Sequence, residues 1–140
     1  MPAVSTDLEL VLILGNDRLV PVPATLSYSV AEPYAVSAVF QTTEGKVHWV
    51  FARELLAQGL LDSTGEGDVV IWPAASRERD AICLSLASPT GSALLEAPGG
   101  EVSSFLEQSY EVVPSGSETD YLDIDREIMR LLSDEPSPRR

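Results

Sequence analysis

The chain has 140 residues, of which 44% are hydrophobic, enough for one compact core that hides roughly 68–70% of the surface of the unfolded chain. Its 22 acidic against 9 basic residues give a net charge of −13, which repels a phosphate backbone instead of displacing its counterions, so nucleic acid is a poor partner on charge alone. Cys83 is the single cysteine and leaves no internal disulfide, and the apolar run Leu8 to Leu14 is too short for a membrane helix and is interrupted by Glu9; a cytoplasmic protein is expected, with any membrane association through partners.

In chain order, residues 1–6 are expected to be frayed and residues 7–133 to form one domain. Asp7 to Leu14 alternates at first and then turns apolar on both faces, as a strand covered on two sides would. Gly15-Asn16-Asp17 ends it. Leu19-Val20-Pro21-Val22-Pro23 is extended, because each proline fixes its own φ and restricts the residue before it, and belongs at a sheet edge or in a connection. Thr25 to Val30 alternates with Leu26, Tyr28 and Val30 inward. Tyr34 to Phe40 repeats the pattern with Tyr34, Val36, Ala38 and Phe40, and Thr43-Glu44-Gly45-Lys46 is a hairpin loop into the next strand.

The period changes at Ala52. Val47, Trp49 and Phe51 sit two apart as one strand face, whereas Ala52, Leu55, Leu56, Gly59 and Leu60 fall at helical offsets. Gly59 and the cluster 62–67 then supply residues that tolerate positive φ and turn the chain into the strand Asp68 to Pro73. After a polar loop, Ala81 to Leu86 and Ser92 to Ala97 form a hairpin about Ser88-Pro89-Thr90-Gly91, a tight-turn sequence. Pro98-Gly99-Gly100 breaks the sheet, and Val102, Phe105, Leu106 and Ser109 recur as the face of a second helix. Beyond the turn-rich connection Val113 to Glu118, which carries no evident core anchor, Asp123 caps a third helix lined by Ile124, Ile128, Leu131 and Leu132. Asp123, Asp125 and Glu127 crowd its first turn, favourably for the helix dipole. Residues 134–140 are expected to be a disordered tail. The whole reads as an α+β fold with antiparallel sheets of about six to seven strands and three helices.

The residues that could carry chemistry have structural explanations. His48 is the only histidine, out of phase with Trp49, and lacks the positioned partner that a general base requires. Cys83 reads as a small packed side chain rather than a nucleophile. Thr64-Gly65-Glu66-Gly67 lacks the lysine of a phosphate loop, and the acids Asp120, Asp123, Asp125 and Glu127 lack the glycine and distal glutamate of a calcium loop. Trp49, Trp72, Tyr34 and Phe51 could stack single-stranded bases, but their inward strand positions favour core packing. Arg53, on a helix whose other face is apolar, either pairs with an acid across a subunit boundary or is solvated. No catalytic residue, metal site or cofactor site is expected.

Several motifs resemble one family. They are Pro33-Tyr34-Ala35-Val36, Trp49-Val50-Phe51-Ala52-Arg53-Glu54-Leu55-Leu56 with Gly59-Leu60, Gly65-Glu66-Gly67-Asp68-Val69 with Trp72-Pro73, Ser88-Pro89-Thr90-Gly91, Phe105-Leu106 and Val113-Pro114-Ser115-Gly116-Ser117-Glu118. In that order and spacing they resemble the SsgA-like sporulation and cell division proteins of actinomycetes, nearest the SsgB branch, over about Asp7 to Leu132. Glu32 and Glu54 stand where the family often has aspartate, Ser63 where proline is common, and Arg139-Arg140 is additional. The resemblance implies a Whirly-like fold, a homotrimer, and a non-enzymatic protein at the division septum that helps recruit or stabilise FtsZ alongside its SsgA-like relatives. The alternative is a single-stranded nucleic-acid-binding protein of the same fold. For the partner surface the choice falls on Val113, Pro114, Ser115, Gly116 and Glu118, since a polar loop with proline and glycine is cheap to expose.

Overall fold

A computed structural model describes residues 3–15, 18–65, 67–74, 81–89 and 91–121. Among the described residues seven strands form a single antiparallel sheet: β1 (Ala3–Leu14), β2 (Arg18–Ser29), β3 (Ala35–Thr42), β4 (Gly45–Ala52), β5 (Val69–Ala74), β6 (Ala81–Ser88) and β7 (Gly91–Pro98). The described helices are α1 (Arg53–Gly59), between β4 and β5, and α2 (Gly99–Val112), which follows β7 and leads to a 3-10 turn at Glu118–Tyr121. The expected third helix and the tail lie outside the described residues. Strand order across the sheet is β4-β3-β2-β1-β7-β6-β5, so the four strands β1 to β4 lie on one side of the β1–β7 seam and the three strands β5 to β7 on the other.

That seam is narrow, with only Val11 opposite Glu96 and Leu12 opposite Leu95. The two wings curl towards one another about it. Phe40 and Phe51 from one wing and Ile82 and Leu84 from the other line the same void of about 10 Å³, together with Leu56 of α1 and Val102 of α2. The alternation read from the sequence makes this possible: Leu8 and Leu10, Leu26 and Tyr28, Val36 and Ala38, and Leu84 and Leu86 are all buried, each pair two residues apart on one strand face. Helix α2 packs Val102, Phe105, Leu106 and Ser109 against this core at the offsets expected of it. At the far end of the curl an apolar cleft of about 290 Å³ opens between the β3–β4 and β6–β7 hairpins, lined by Val47 and Trp49 on one side and Leu86 and Ala93 on the other.

Four local expectations need correction. Ala3 to Thr6 are not frayed but belong to β1, with Ala3 opposite Ser29. Residues 19–23 and 25–29 are one strand, since all of Arg18 to Ser29 pairs with β1. The prolines survive within an interior strand because β3 pairs with β2 only from Ala24 to Ser27, leaving β1 as the only described strand paired at Pro21 and Pro23. Gly59 does not carry positive φ; Gly65 and Gly67 do. Its reason is closeness: a Cβ at Gly59 would sit 2.3 Å from Cγ2 of Ile71, so α1 lies directly on β5 with no room for a methyl group. Finally, two residues expected to face inward are exposed: Val47 lies at the open end of the curl, although Phe51 on the same strand face is buried, and Tyr34 precedes the first residue of β3.

Candidate functional site

Arg53 is the first residue of α1, and its side chain is 1% exposed. The apolar stripe predicted for this helix is therefore rotated: Arg53, Leu56 and Gly59 face inward and Ala52 faces out. The backbone places Arg53 firmly, because β4 ends at Ala52 opposite Ala35 and the Arg53 N–H donates to the Tyr34 carbonyl at 2.7 Å. The guanidinium then lies between two rings, 4.6 Å from the centroid of Tyr28 and 4.5 Å from that of Tyr110. Tyr28 is itself fixed by its hydroxyl, which donates to the Pro33 carbonyl at 2.9 Å. A desolvated cation over an aromatic face gains up to about 2 kcal/mol.

The same guanidinium closes the end of α2. Helix α2 has no basic residue in its last turn; the Val113 N–H bonds back to the Ser109 carbonyl at 2.9 Å, and further donors to this end come from outside the helix. Arg53 Nη1 donates to the Ser109 carbonyl at 3.1 Å and to the Val113 carbonyl at 2.8 Å. A positive charge at this end also complements the helix dipole. Arg53 Nη2 donates to Glu118 Oε2 at 2.7 Å, the salt bridge that neutralises the buried charge. The other Glu118 oxygen, Oε1, accepts the Gly116 N–H at 2.9 Å. The hydrogen bond from Arg53 is the largest cause holding the Glu118 carboxyl below its ordinary pKa, with backbone hydrogen bonds adding to it. Arg53 is neither solvated nor required to reach another subunit for an acid; its partner lies 65 residues further along its own chain.

The five residues chosen from sequence as a partner surface divide accordingly. Val113 is fully buried and its carbonyl is taken by Arg53, while Glu118 is only 15% exposed at its side chain and is the anchor that the loop was expected to lack. Pro114, Ser115 and Gly116 between them are exposed. A turn bond from Ser117 N–H to the Pro114 carbonyl at 3.0 Å and a φ of 87° at Gly116 shape this outward bend. Tyr34, 48% exposed, touches the following turn through a hydroxyl contact with Thr119. The loop is legible in the sequence, whereas what holds it is not. The available signal was a helix end at Val112 with no cation of its own and an arginine opening the preceding helix.

The remaining candidates are dispersed. His48 is exposed on β4. Cys83 is buried, and that burial, helped by Glu96 beside it, raises its thiol pKa. Among the described residues no three His, Cys, Asp or Glu side chains gather as a metal-binding group, and no helix is long and apolar enough to cross a membrane. The aromatics do not form one stacking platform: Phe51 is buried, Trp49 packs against the core, and Trp72 follows Ile71, the buried residue of β5, and so points to the opposite sheet face.

Residues 22–118 match the family model described as "Streptomyces sporulation and cell division protein, SsgA". The chain belongs to this SsgA family. The protein named sporulation-specific cell division protein SsgB of Streptomyces coelicolor is 46% identical over 132 residues, 94% of this chain and 96% of its own. A solved structure of SsgB, described by the words "Mutations in SsgB correlate to longitudinal cell division during sporulation of Streptomyces coelicolor", superposes with a TM-score of 0.83 at 47% identity over 86% of this chain and 96% of that one. The SsgA-like sporulation-specific cell division protein of Thermobifida fusca superposes with a TM-score of 0.84 at 42% identity over 93% of this chain and 96% of that one. Tyr28, Arg53, Ser109, Tyr110, Val113 and Glu118 all fall within the stretch that matches the SsgA model.

Proposed function

We propose that this protein acts in cell division during sporulation, as a non-enzymatic adaptor that helps recruit or stabilise FtsZ at the division septum. The observation that carries the reading is near-full-length kinship with proteins named sporulation-specific cell division protein SsgB. The exposed bend at residues 114–116, fixed at both ends by Arg53, is the surface through which it meets its partner: a rigid base presenting a small exposed loop is how scaffolds usually carry binding residues. The protein works in the cytoplasm, as a homotrimer of Whirly-like protomers, with other SsgA-like proteins as further partners and with membrane contact only through them. Co-sedimentation of the purified protein with FtsZ polymers tests the reading. Saturable pelleting together with polymers, at a mass in solution of three protomers, is the expected result; a monomer that stays in the supernatant and leaves polymer length unchanged would sink it.

A further inference from the structure

We propose that Arg53 is a positioning residue for partner binding, the part that sets the shape in which Pro114, Ser115 and Gly116 are presented. This rests on the reading of residues 113–118 as the partner loop. One planar group holds both ends of that loop: Nη1 takes the Val113 carbonyl at 2.8 Å and Nη2 takes Glu118 Oε2 at 2.7 Å. Glu118 passes the constraint inward to the bend, because its second oxygen holds the Gly116 N–H at 2.9 Å. Among the described residues the stretch between has one internal turn bond, from Ser117 N–H to the Pro114 carbonyl, and its Ser117 carbonyl accepts the Asp120 N–H of the turn that follows. The turn bond and the φ of Gly116 shape the bend locally, and its two ends are held from outside it, by a residue on another helix.

A cation buried this deeply is a poor device for stability alone. Arg53 Nε has no hydrogen-bond partner among the described residues, and replacing a buried ion pair by apolar groups of similar volume is often neutral or stabilising. What an apolar residue cannot supply is a fork that fixes two chain segments at once. Lysine cannot supply it either, since a point charge lacks the flat, divergent donors that fit between two rings and reach two acceptors. The arrangement therefore serves the conformation of an exposed loop, which is where recognition happens.

The test uses the full chain and purified FtsZ polymers, with four variants. Arg53→Lys keeps the charge and loses the fork; Glu118→Gln keeps the shape and loses the charge; the double variant combines them; Ser115→Arg alters the exposed bend without touching Arg53. Affinity is read by co-sedimentation, and loop geometry by the NMR amide position of Gly116. Arg53→Lys and Glu118→Gln are expected to fold, to shift the Gly116 amide, and to bind roughly tenfold more weakly, the loss equivalent to one well-placed contact. The double variant is expected to be no worse than the weaker single one, because both cut the same constraint. If Ser115→Arg binds as the parent does, the loop is not the partner surface and the underlying reading fails. If Ser115→Arg abolishes binding while both single variants bind normally, the role given to Arg53 fails and the loop reading stands. If both single variants lose their fold, Arg53 is a stability element and the proposal is overturned.

Discussion

Replacing Gly59 by alanine is expected to destabilise this protein, although alanine is the better helix former. Propensity alone would favour the change by about 0.8–1.0 kcal/mol in a helix interior. At this position, however, the new Cβ would lie 2.3 Å from Ile71 Cγ2 and 2.7 Å from Ile71 Cβ, against an optimum of roughly 3.5–4.0 Å between carbon atoms. Ile71 is fully buried on β5, and its Cβ moves only with its backbone. Helix α1 must lift from the strand by about 1 Å to restore contact distance, disturbing Leu56 and Arg53 on the same face. Overpacking of this kind costs about 1–3 kcal/mol, and with no flexible chain end to yield the upper half of that range applies. The balance is a net loss of about 1–2 kcal/mol, or a Tm lower by about 3–7 °C for a chain of this length. Gly100→Ala is the control, since nothing lies within 4 Å of its added Cβ; it should raise stability by about 0.4–1 kcal/mol through the unfolded chain. Thermal and urea unfolding followed by circular dichroism give both values. A Gly59→Ala protein as stable as the parent would refute the close approach of α1 to β5.

Three further outcomes are expected. Gly116 has a φ of 87° and open space around it, so Gly116→Val should cost about 1–2 kcal/mol through backbone strain rather than collision, and Gly116→Asn less; equal losses in unfolding experiments would show that φ is not the constraint. Glu118 has its pKa depressed in the folded state, so its contribution to stability is complete above the ordinary carboxylate pKa and is lost as pH falls through the lower folded value. The Gly116 amide resonance should therefore hold steady near neutrality and move only in acid, and Glu118→Gln should abolish that transition; a transition that survives in the variant assigns it to another group. Cys83, buried and with a raised pKa, should react slowly with a disulfide reagent until denaturant is added, and rapid labelling of the native protein would contradict its placement.

Much of this fold is visible in the chain because alternation is a local signal. Leu26, Tyr28, Val36, Ala38 and Phe40 announce their strand faces, and Val102, Phe105, Leu106 and Ser109 announce a helix face, without reference to anything distant. The failures share a cause. Arg53 looks like a surface residue because its chemistry is polar, and only the convergence of Tyr28, Tyr110 and the carbonyls of Ser109 and Val113, drawn from separate elements, makes burial tolerable. Gly59 looks like a helix terminator because glycine so often is; its need is set by Ile71, twelve residues on. Val113 and Glu118 look free for the same reason that Arg53 does, since each is the other half of a contact that no window of sequence contains.

The pairing of β3 with β2 stops at Ala24, although β3 itself runs on to Thr42, and this bears on how copies of this molecule coexist. Among the described residues it leaves one margin of β2 without a paired strand from Arg18 to Pro23, a stretch that a stray chain could otherwise extend. Pro21 and Pro23 occupy alternate positions along it, and each withholds the donor that an arriving strand would need while its ring obstructs the approach. A crowded solution of this protein is thus guarded against fibrous stacking at a place where no described strand pairs with this margin of its sheet.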